Sequence, residues 1–295
     1  MKVLSFGSLN FDHVYQMHHF VEAKETTSSL SYQKGFGGKG LNQSIALAKS
    51  GIDVYHAGRV GEDGQPFIDY LQKYGVKTDY LKKDVDEVTG HAIIQVCNGE
   101  NCIILHGGAN QAIDEKQIDD VLQHFSSQDM LLIQNEISCL DYLIRQAHQK
   151  GMKIAFNTAP MDEKVFKYPI ELVDIFIVNE IEAMGLAKVQ SHDVDDIIKG
   201  LQDAYPDKQI VLTIGSDGSY YIGSGRVIHQ DAYQVHAVDT TAAGDTFTGY
   251  FLASLLRDES IENALRIASK ASSITVTKDG AAQSIPSLQE VLGSL

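Results

Sequence analysis

Met130-Leu131-Leu132-Ile133-Gln134, a helical run across 139 to 150, and Lys153-Ile154-Ala155-Phe156-Asn157 together read as a strand–helix–strand unit. Both strand segments are short and apolar throughout, without alternation, which is the pattern of a strand covered on both faces. The unit continues on either side. Asp174 to Val178 and Ile210 to Ile214 read as further strands, and 115 to 125, 179 to 187 and 193 to 204 as helices. Such alternation predicts an α/β chain with a mainly parallel central sheet and helices on both faces.

Toward the amino end, Lys2 to Gly7 reads as a buried first strand leaving through Gly7-Ser8-Leu9-Asn10. Ile52 to Val60 reads as a second strand, followed by a helix from Pro66 to Tyr74 that Gly75 ends. Residues 13 to 34 are polar, rich in Ser and Thr, and read as an exposed excursion. His91 to Cys97 and Cys102 to His106 flank Asn98-Gly99, the sequence of a β-hairpin turn. The hairpin arms are more apolar than a solvent-facing surface requires. With the excursion they suggest a small separate sheet whose apolar face needs cover, as a lid or a dimer contact. The expected division is a core of 1–11, 36–88 and 107–295, with 12–35 and 89–106 inserted as a β lid.

Bulk composition removes several classes of function. The 295 residues are 43% hydrophobic and 21% charged, as in ordinary globular proteins, with a net charge of −15 and no basic block. That balance argues against nucleic-acid binding. No apolar run approaches the roughly 18 residues that span a bilayer, so no membrane partner is expected. The opening Met1 to Phe6 turns polar too soon for a signal peptide. Cys97, Cys102 and Cys139 form no CxxC pair, so a reduced cytoplasmic protein without a structural disulfide is expected.

The chemistry concentrates in Val238-Asp239-Thr240-Thr241-Ala242-Ala243-Gly244-Asp245-Thr246-Phe247-Thr248-Gly249. An alternating segment, Tyr233 to Val238, reads as a strand before it. Phe247, Phe251 and Leu255 recur at helical spacing after it. Unpaired N–H groups at such a helix start, with the helix dipole behind them, make a receptor for a phosphate-like anion. A carboxylate inside that turn makes sense if Asp245 touches a hydroxyl that attacks phosphorus. The plainer reading is that Asp245 caps the helix.

Gly35-Phe36-Gly37-Gly38-Lys39-Gly40-Leu41-Asn42-Gln43 precedes a helix closed by Gly51. By letters it matches a dinucleotide fingerprint, but a polar excursion stands where that motif needs its first strand. What remains is a flexible backbone offering close approach, with Lys39 and Asn42 as donors, or simply a glycine turn. Other polar residues fall at carboxyl ends of the strands, where ligands of such sheets collect: Asn10, Asp12, Gln134 to Glu136, Asn157, Asn179 with Glu182, and Thr213-x-Gly215.

Taken together, the glycine-rich segment and the 239–247 turn resemble the paired signatures of the ribokinase-like (PfkB) carbohydrate kinases. Gly7 to His13, His106 to Asn110, Asn157 to Pro160, Asn179 to Glu182 and Thr213 to Ser216 also stand in family order. The resemblance implies a ribokinase-like fold and transfer of the γ-phosphoryl of ATP to a primary hydroxyl, with D-ribose as the first acceptor. Fructose, 2-keto-3-deoxygluconate, or a nucleoside such as adenosine or pseudouridine are the alternatives, and a non-catalytic sugar-binding protein is a further one. Asp245 would be the base, with backbone N–H groups of Ala242, Ala243 and Gly244 stabilising the phosphoryl group. Asn10, Asp12, Gly38, Lys39, Asn42 and Glu136 would hold the sugar. Asn179 and Glu182 would organise Mg²⁺ and phosphates, while Thr213, Gly215 and the small residues near 268 to 272 would border ATP. A K⁺ ion would be held by Asp239, Thr241, Thr275, Lys278, Gly280 and Ser284. The family also implies a homodimer through the lid. Ala242 and Glu136 favour the ribokinase branch. Two departures from the family are Lys24-Glu25-Thr26 without a nearby proline, and Thr241 in place of an aliphatic residue.

Overall fold

The computed structural model describes all 295 residues. Its strands are β1 (Val3–Phe6), β2 (Asn10–Gln16), β3 (Ser31–Gly37), β4 (Val54–Val60), β5 (Lys77–Lys83), β6 (Gly90–Cys97), β7 (Glu100–His106), β8 (Met130–Gln134), β9 (Lys153–Asn157), β10 (Ile175–Asn179), β11 (Gln209–Thr213), β12 (Ser219–Gly223) and β13 (Arg226–Gln230). The helices are α1 (Lys39–Lys49), α2 (Gln65–Lys73), α3 (Glu115–Leu122), α4 (Leu140–Gln149), α5 (Glu180–Ala187), α6 (Val194–Ala204), α7 (Ala243–Leu256), α8 (Ile261–Thr275) and α9 (Leu288–Leu292). No helix is long and apolar enough to cross a membrane.

Nine strands form the main sheet in the order β13-β12-β11-β10-β9-β8-β1-β4-β5. Pairing is parallel from β5 through β11, and only β12 and β13 run antiparallel. Neighbouring residues of one strand serve opposite cores. Met130 and Leu132 join Val3, Ile45 and Phe251 on the face of α1, α7 and α8, whereas Leu131 and Ile133 join Leu4, Leu143 and Ile144 on the face of α4. Two buried faces explain the unbroken apolar runs in the sequence.

The second sheet has the order β3-β2-β6-β7 and begins at Asn10, where the exit from β1 becomes β2. Phe11 and Phe36 at its base pack on Phe67 of α2, with ring centroids 4.6 and 5.0 Å apart. Asn98 and Gly99 both take positive φ, 52° and 82°, as the hairpin turn between β6 and β7 requires.

Several expectations need correction. The excursion at 13–34 is less irregular than expected, because β2 and β3 take up both of its ends. A strand therefore does precede the glycine-rich turn, but it is an antiparallel lid strand. Tyr233 to Val238 forms no strand; its one ordered anchor is Val238 N–H donating to the Val276 carbonyl at 2.7 Å. Tyr233, Gln234, Val235 and Ala237 line a cavity instead, so the apolar–polar alternation of this segment marks no sheet face. On the hairpin, Cys97 pairs with Glu100 and Cys102 with Gln95, and Cys97, Cys102 and Cys139 are free thiols.

Candidate active site

The chain runs from β1 outward through β4 to β5, then returns to the other side of β1 as β8. Ligands of open α/β sheets bind beyond the carboxyl ends of the strands at such a reversal. Here that crevice holds Ser8 after β1, Gln134 and Glu136 at the end of β8, and the start of α1. The first N–H groups of α1 need acceptors from outside the helix. Lys39 N–H donates to Glu136 Oε2 at 3.1 Å, Gly40 N–H to Ser8 Oγ at 3.4 Å, and Leu41 N–H to the Ser8 carbonyl at 3.1 Å. The Ser8 hydroxyl donates to Glu136 as well. Gly38 caps the helix at φ 98°, where a Cβ would stand 2.8 Å from the Ser8 carbonyl oxygen.

The lid contributes the floor of one half of the cleft. Asn110 Nδ2 donates to Asn10 Oδ1 at 2.9 Å, and its own carbonyl accepts from Leu9 N–H at 3.0 Å, so Asn10 is locked in place while buried. Burial, reinforced by the negative charge of Glu136, pushes the Asp12 carboxyl up to about 6. Burial likewise raises Glu136, against the opposing charge of Lys39 and the hydroxyl of Ser8. For Lys39, burial alone would lower the ammonium, but Asp245, Glu136 and Glu182 outweigh it and hold the group above its usual range. The charges of three carboxylates thus act on one lysine.

Asp245 lies at the start of α7, where α7 packs closely on α1. Gly249, one turn on from Asp245, permits this approach, since a Cβ there would collide with Ala46, one turn on from Asn42. Asn42 Nδ2 donates to Asp245 Oδ2 at 2.9 Å and Gln43 Nε2 to Asp245 Oδ1 at 2.9 Å. Ala242 precedes α7 at φ 62°, a left-handed conformation costly for any residue with a Cβ. Ala243 N–H donates to the Thr240 carbonyl at 3.2 Å and Thr246 N–H to Ala242 at 2.8 Å. The N–H groups of Ala242, Gly244 and Asp245 have no acceptor in the protein. The free N–H groups are therefore not those of the expected 242, 243 and 244, because the turn itself occupies Ala243. Asp245 makes no side-chain cap to its own helix.

Beside this bend lies a cavity of about 360 Å³ lined by Thr213, Gly215, Tyr233, Ala243, Gly244 and Ser272, among others. Thr213 stands directly opposite Asn179 in the β10–β11 register. Asn179 and Glu182 form a complete capping box on α5: Asn179 N–H and Nδ2 donate to the two Glu182 oxygens at 3.0 and 2.9 Å, and Glu182 N–H donates back to Asn179 Oδ1 at 3.0 Å. Burial raises the Glu182 carboxyl despite these donors and the charge of Lys39.

Asp239 accepts from Thr241 N–H at 2.9 Å and from Gly280 N–H at 3.0 Å. Burial works against its ionised form, yet the donors from Thr241 and Gly280 hold the carboxyl below its usual range. Of the other expected cation residues, Thr275 Oγ1 donates to Thr246 Oγ1 at 3.1 Å, Ser284 Oγ to the Ala281 carbonyl at 2.6 Å, and Lys278 Nζ reaches Glu290 at 2.7 Å.

The structure hydrogen-bonds Asn42 to Asp245, brings Asp12, Lys39, Glu136 and Asp245 within reach of one another's charge, and holds Asn10 through Asn110. It adds Ser8, Gln43 and Asn110, which sequence reasoning did not select, and joins Gln134, expected only as a polar strand end, to Gln43. Gln43 and Gln134 stood in quoted segments, but only the approach of α1, α7 and β8 reveals what they touch.

A profile of the pfkB family of carbohydrate kinases matches residues 1–288. Ribokinase of Haemophilus influenzae is 35% identical over 97% of this chain and 95% of its own length. Among solved structures, ribokinase of Cryptococcus neoformans in complex with ADP superposes with TM-score 0.89 at 33% identity, over 100% of this chain and 99% of the other. Arabidopsis thaliana ribokinase complexed with ribose and ATP gives TM-score 0.88 at 29% identity, over 99% of this chain and 97% of the other. The lidded sheet is the ribokinase-like fold, and the cleft is that of a phosphotransferase acting on an alcohol acceptor. The chain belongs to the pfkB family of carbohydrate kinases.

Proposed function

We propose that this kinase transfers the γ-phosphoryl group of ATP to the primary hydroxyl of D-ribose, giving D-ribose 5-phosphate and ADP. One observation carries the reading. Asp245 and three unpaired N–H groups share one bend, and that bend separates the polar lid floor from the cavity beside Gly244. A hydroxyl on the floor and a phosphoryl group from the cavity would meet at that bend.

Asn10, Asp12, Gly38, Lys39, Asn42 and Glu136 hold the sugar. Asp245 accepts the hydroxyl proton as the sugar oxygen bonds to phosphorus and the bond to ADP breaks. The N–H groups of Ala242, Gly244 and Asp245 face the oxygens of the group in transit, a fixed set of dipoles that needs no reorganisation. Thr213, Gly215 and the small residues of α8 border the adenosine side.

Mg²⁺ would shield the phosphate charges. Glu182 fits that ion through water, since both of its oxygens already accept from Asn179. Asp239, kept ionised among backbone groups, fits a monovalent cation such as K⁺ with Thr241, Thr275, Gly280 and Ser284 supplying neutral oxygens. Lys278 would contribute only through its backbone. Ile103 and Ile104, 56% and 64% exposed on the lid, support pairing of two lids in a homodimer. Three free cysteines support a cytoplasmic enzyme.

A coupled ADP-release assay across ribose, fructose, 2-keto-3-deoxygluconate, adenosine and pseudouridine, with and without K⁺, tests the reading. Ribose should give the highest kcat/KM. A higher value for any other acceptor would replace ribose, and no turnover with any of them would remove the kinase reading of the site.

A further inference from the structure

Both oxygens of Asp245 are already engaged, so a proton acceptor must first be uncovered. The two partners are not equivalent. Asn42 Nδ2 holds Oδ2 at 2.9 Å, while the carbonyl of the same amide is buried without any partner. Gln43 Nε2 holds Oδ1 at 2.9 Å, and its carbonyl accepts from Gln134 Nε2 at 2.7 Å. Gln43 and Gln134 are wholly buried, and Gln134 Oε1, at the far end of the chain of amides, has no partner either, so what distinguishes Gln43 is that its own amide is held at both ends. Gly7 makes this possible, because a Cβ on it would collide with Gln134 Oε1.

The polarity of this chain follows from its end. An ionised carboxylate only accepts, so Gln43 must turn its NH₂ toward Asp245 and its carbonyl toward Gln134. Gln134 must then present its own NH₂. A flipped amide anywhere along the chain would set oxygen against oxygen between two fully buried side chains.

We propose that Gln134 and Gln43 form a fixed relay that holds Asp245 Oδ1, and that Asn42 is the releasable partner, so that Oδ2 is the oxygen that takes the proton. On sugar binding, Asn42 leaves Oδ2 and its orphaned carbonyl accepts a sugar hydroxyl. The primary hydroxyl then donates to Oδ2. Its proton passes to Oδ2 as the oxygen–phosphorus bond forms, the γ-phosphorus to ADP bond breaks, and Asp245 later returns the proton to solvent. Gln134 is a positioning residue, since it acts only through Gln43. This inference rests on the reading of Asp245 as the base.

The test uses Gln134→Met, Gln43→Met, the double variant and Asp245→Asn, with steady-state kinetics in both substrates and thermal unfolding of each. Gln134→Met should lower kcat at least tenfold while the sugar KM stays within threefold. The double variant should turn over no more slowly than Gln43→Met alone, because one chain is being broken twice. Full kcat in folded Gln134→Met, a loss confined to KM, or losses that multiply in the double variant would each overturn the relay. Should Asp245→Asn itself retain near-normal kcat, it is the base assignment that fails. A dead Asp245→Asn beside a fully active Gln134→Met removes only the relay.

Discussion

The carboxylate of Asp12 occupies the space that a Cβ on Gly37 would fill, so the glycine at the end of β3 is what seats an acidic side chain on the lid floor. Gly37→Ala must push that carboxylate aside, at the cost of about 1–3 kcal/mol typical of overpacking. The ribose KM is expected to rise at least tenfold, with ADP affinity within twofold of the parent. Isothermal titration with ADP and steady-state kinetics with ribose separate the two. An unchanged ribose KM would mean that Asp12 does not touch the sugar.

Asp12 also sets a pH dependence. Its carboxyl is raised from an ordinary 3.8 to about 6, first by burial and then by Glu136. The folded state therefore holds this proton more tightly than the unfolded chain. The stability it contributes is complete below about pH 4 and is lost as pH rises through about 6, amounting to at most about 3 kcal/mol. Asp12→Asn should accordingly be the more stable protein at pH 7.5, with the gap closing toward pH 4. Sugar binding has the opposite sign, since hydroxyls donate best to the ionised form. The ribose KM should fall as pH climbs from 5 to 7 and lose that trend in Asp12→Asn. Denaturant unfolding and a KM–pH profile check the two signs.

Asp245→Asn removes the proton acceptor but keeps the size and a hydrogen-bonding carbonyl. The expected result is a kcat lower by at least about 10²-fold, the usual scale for loss of a general base, with ADP binding nearly intact. The Lys39 ammonium loses one of the three carboxylate charges acting on it and keeps those of Glu136 and Glu182, so the fold should hold. Near-normal turnover would rule out the role.

How much of this was legible depends on what each residue touches. Leu131, Ile133 and Phe156 announce their strands because both sheet faces are buried. Lys77 to Lys83 and Arg226 to Gln230 conceal theirs because β5 and β13 are the outer strands, where charged side chains reach water. Tyr233 to Val238 misleads because its alternation of residue types falls in an irregular cavity wall, to which Gln234 contributes beside Tyr233 and Val235. In the site, Asp245 and Lys39 stand out by residue type and neighbours. The bond between Gln43 and Gln134 spans 91 residues of chain and two elements, and no local pattern encodes it. The occupied N–H of Ala243 depends likewise on a turn closed by Thr240, visible only in the backbone.

Glu182 carries both a structural and a chemical duty, and these can be separated. Glutamine at the third position of a capping box still accepts from the cap backbone. Glu182→Gln should therefore unfold within a few degrees of the parent while losing the charge that favours a hydrated metal. The Mg²⁺ concentration for half-maximal activity is expected to rise at least fivefold, measured by Mg²⁺ titration at saturating ATP and ribose. An unaltered Mg²⁺ curve would confine Glu182 to the cap.

Gly244 gives the sharpest separation of stability from activity. A Cβ built on it meets nothing within 4 Å, and its φ is not in the left-handed region. Neither packing nor backbone strain therefore requires glycine there. In the first turn of α7 alanine is the better helix former, by up to about 1 kcal/mol. Gly244→Ala should raise the unfolding temperature slightly, because the added methyl points into the open cleft rather than into protein. That cleft is where the transferring phosphoryl group has to approach the free N–H groups of Gly244 and Asp245. The variant should lose at least tenfold in kcat despite its greater stability, read from thermal unfolding and ADP release on one preparation. If kcat holds while stability rises, the phosphoryl group does not pass over this turn.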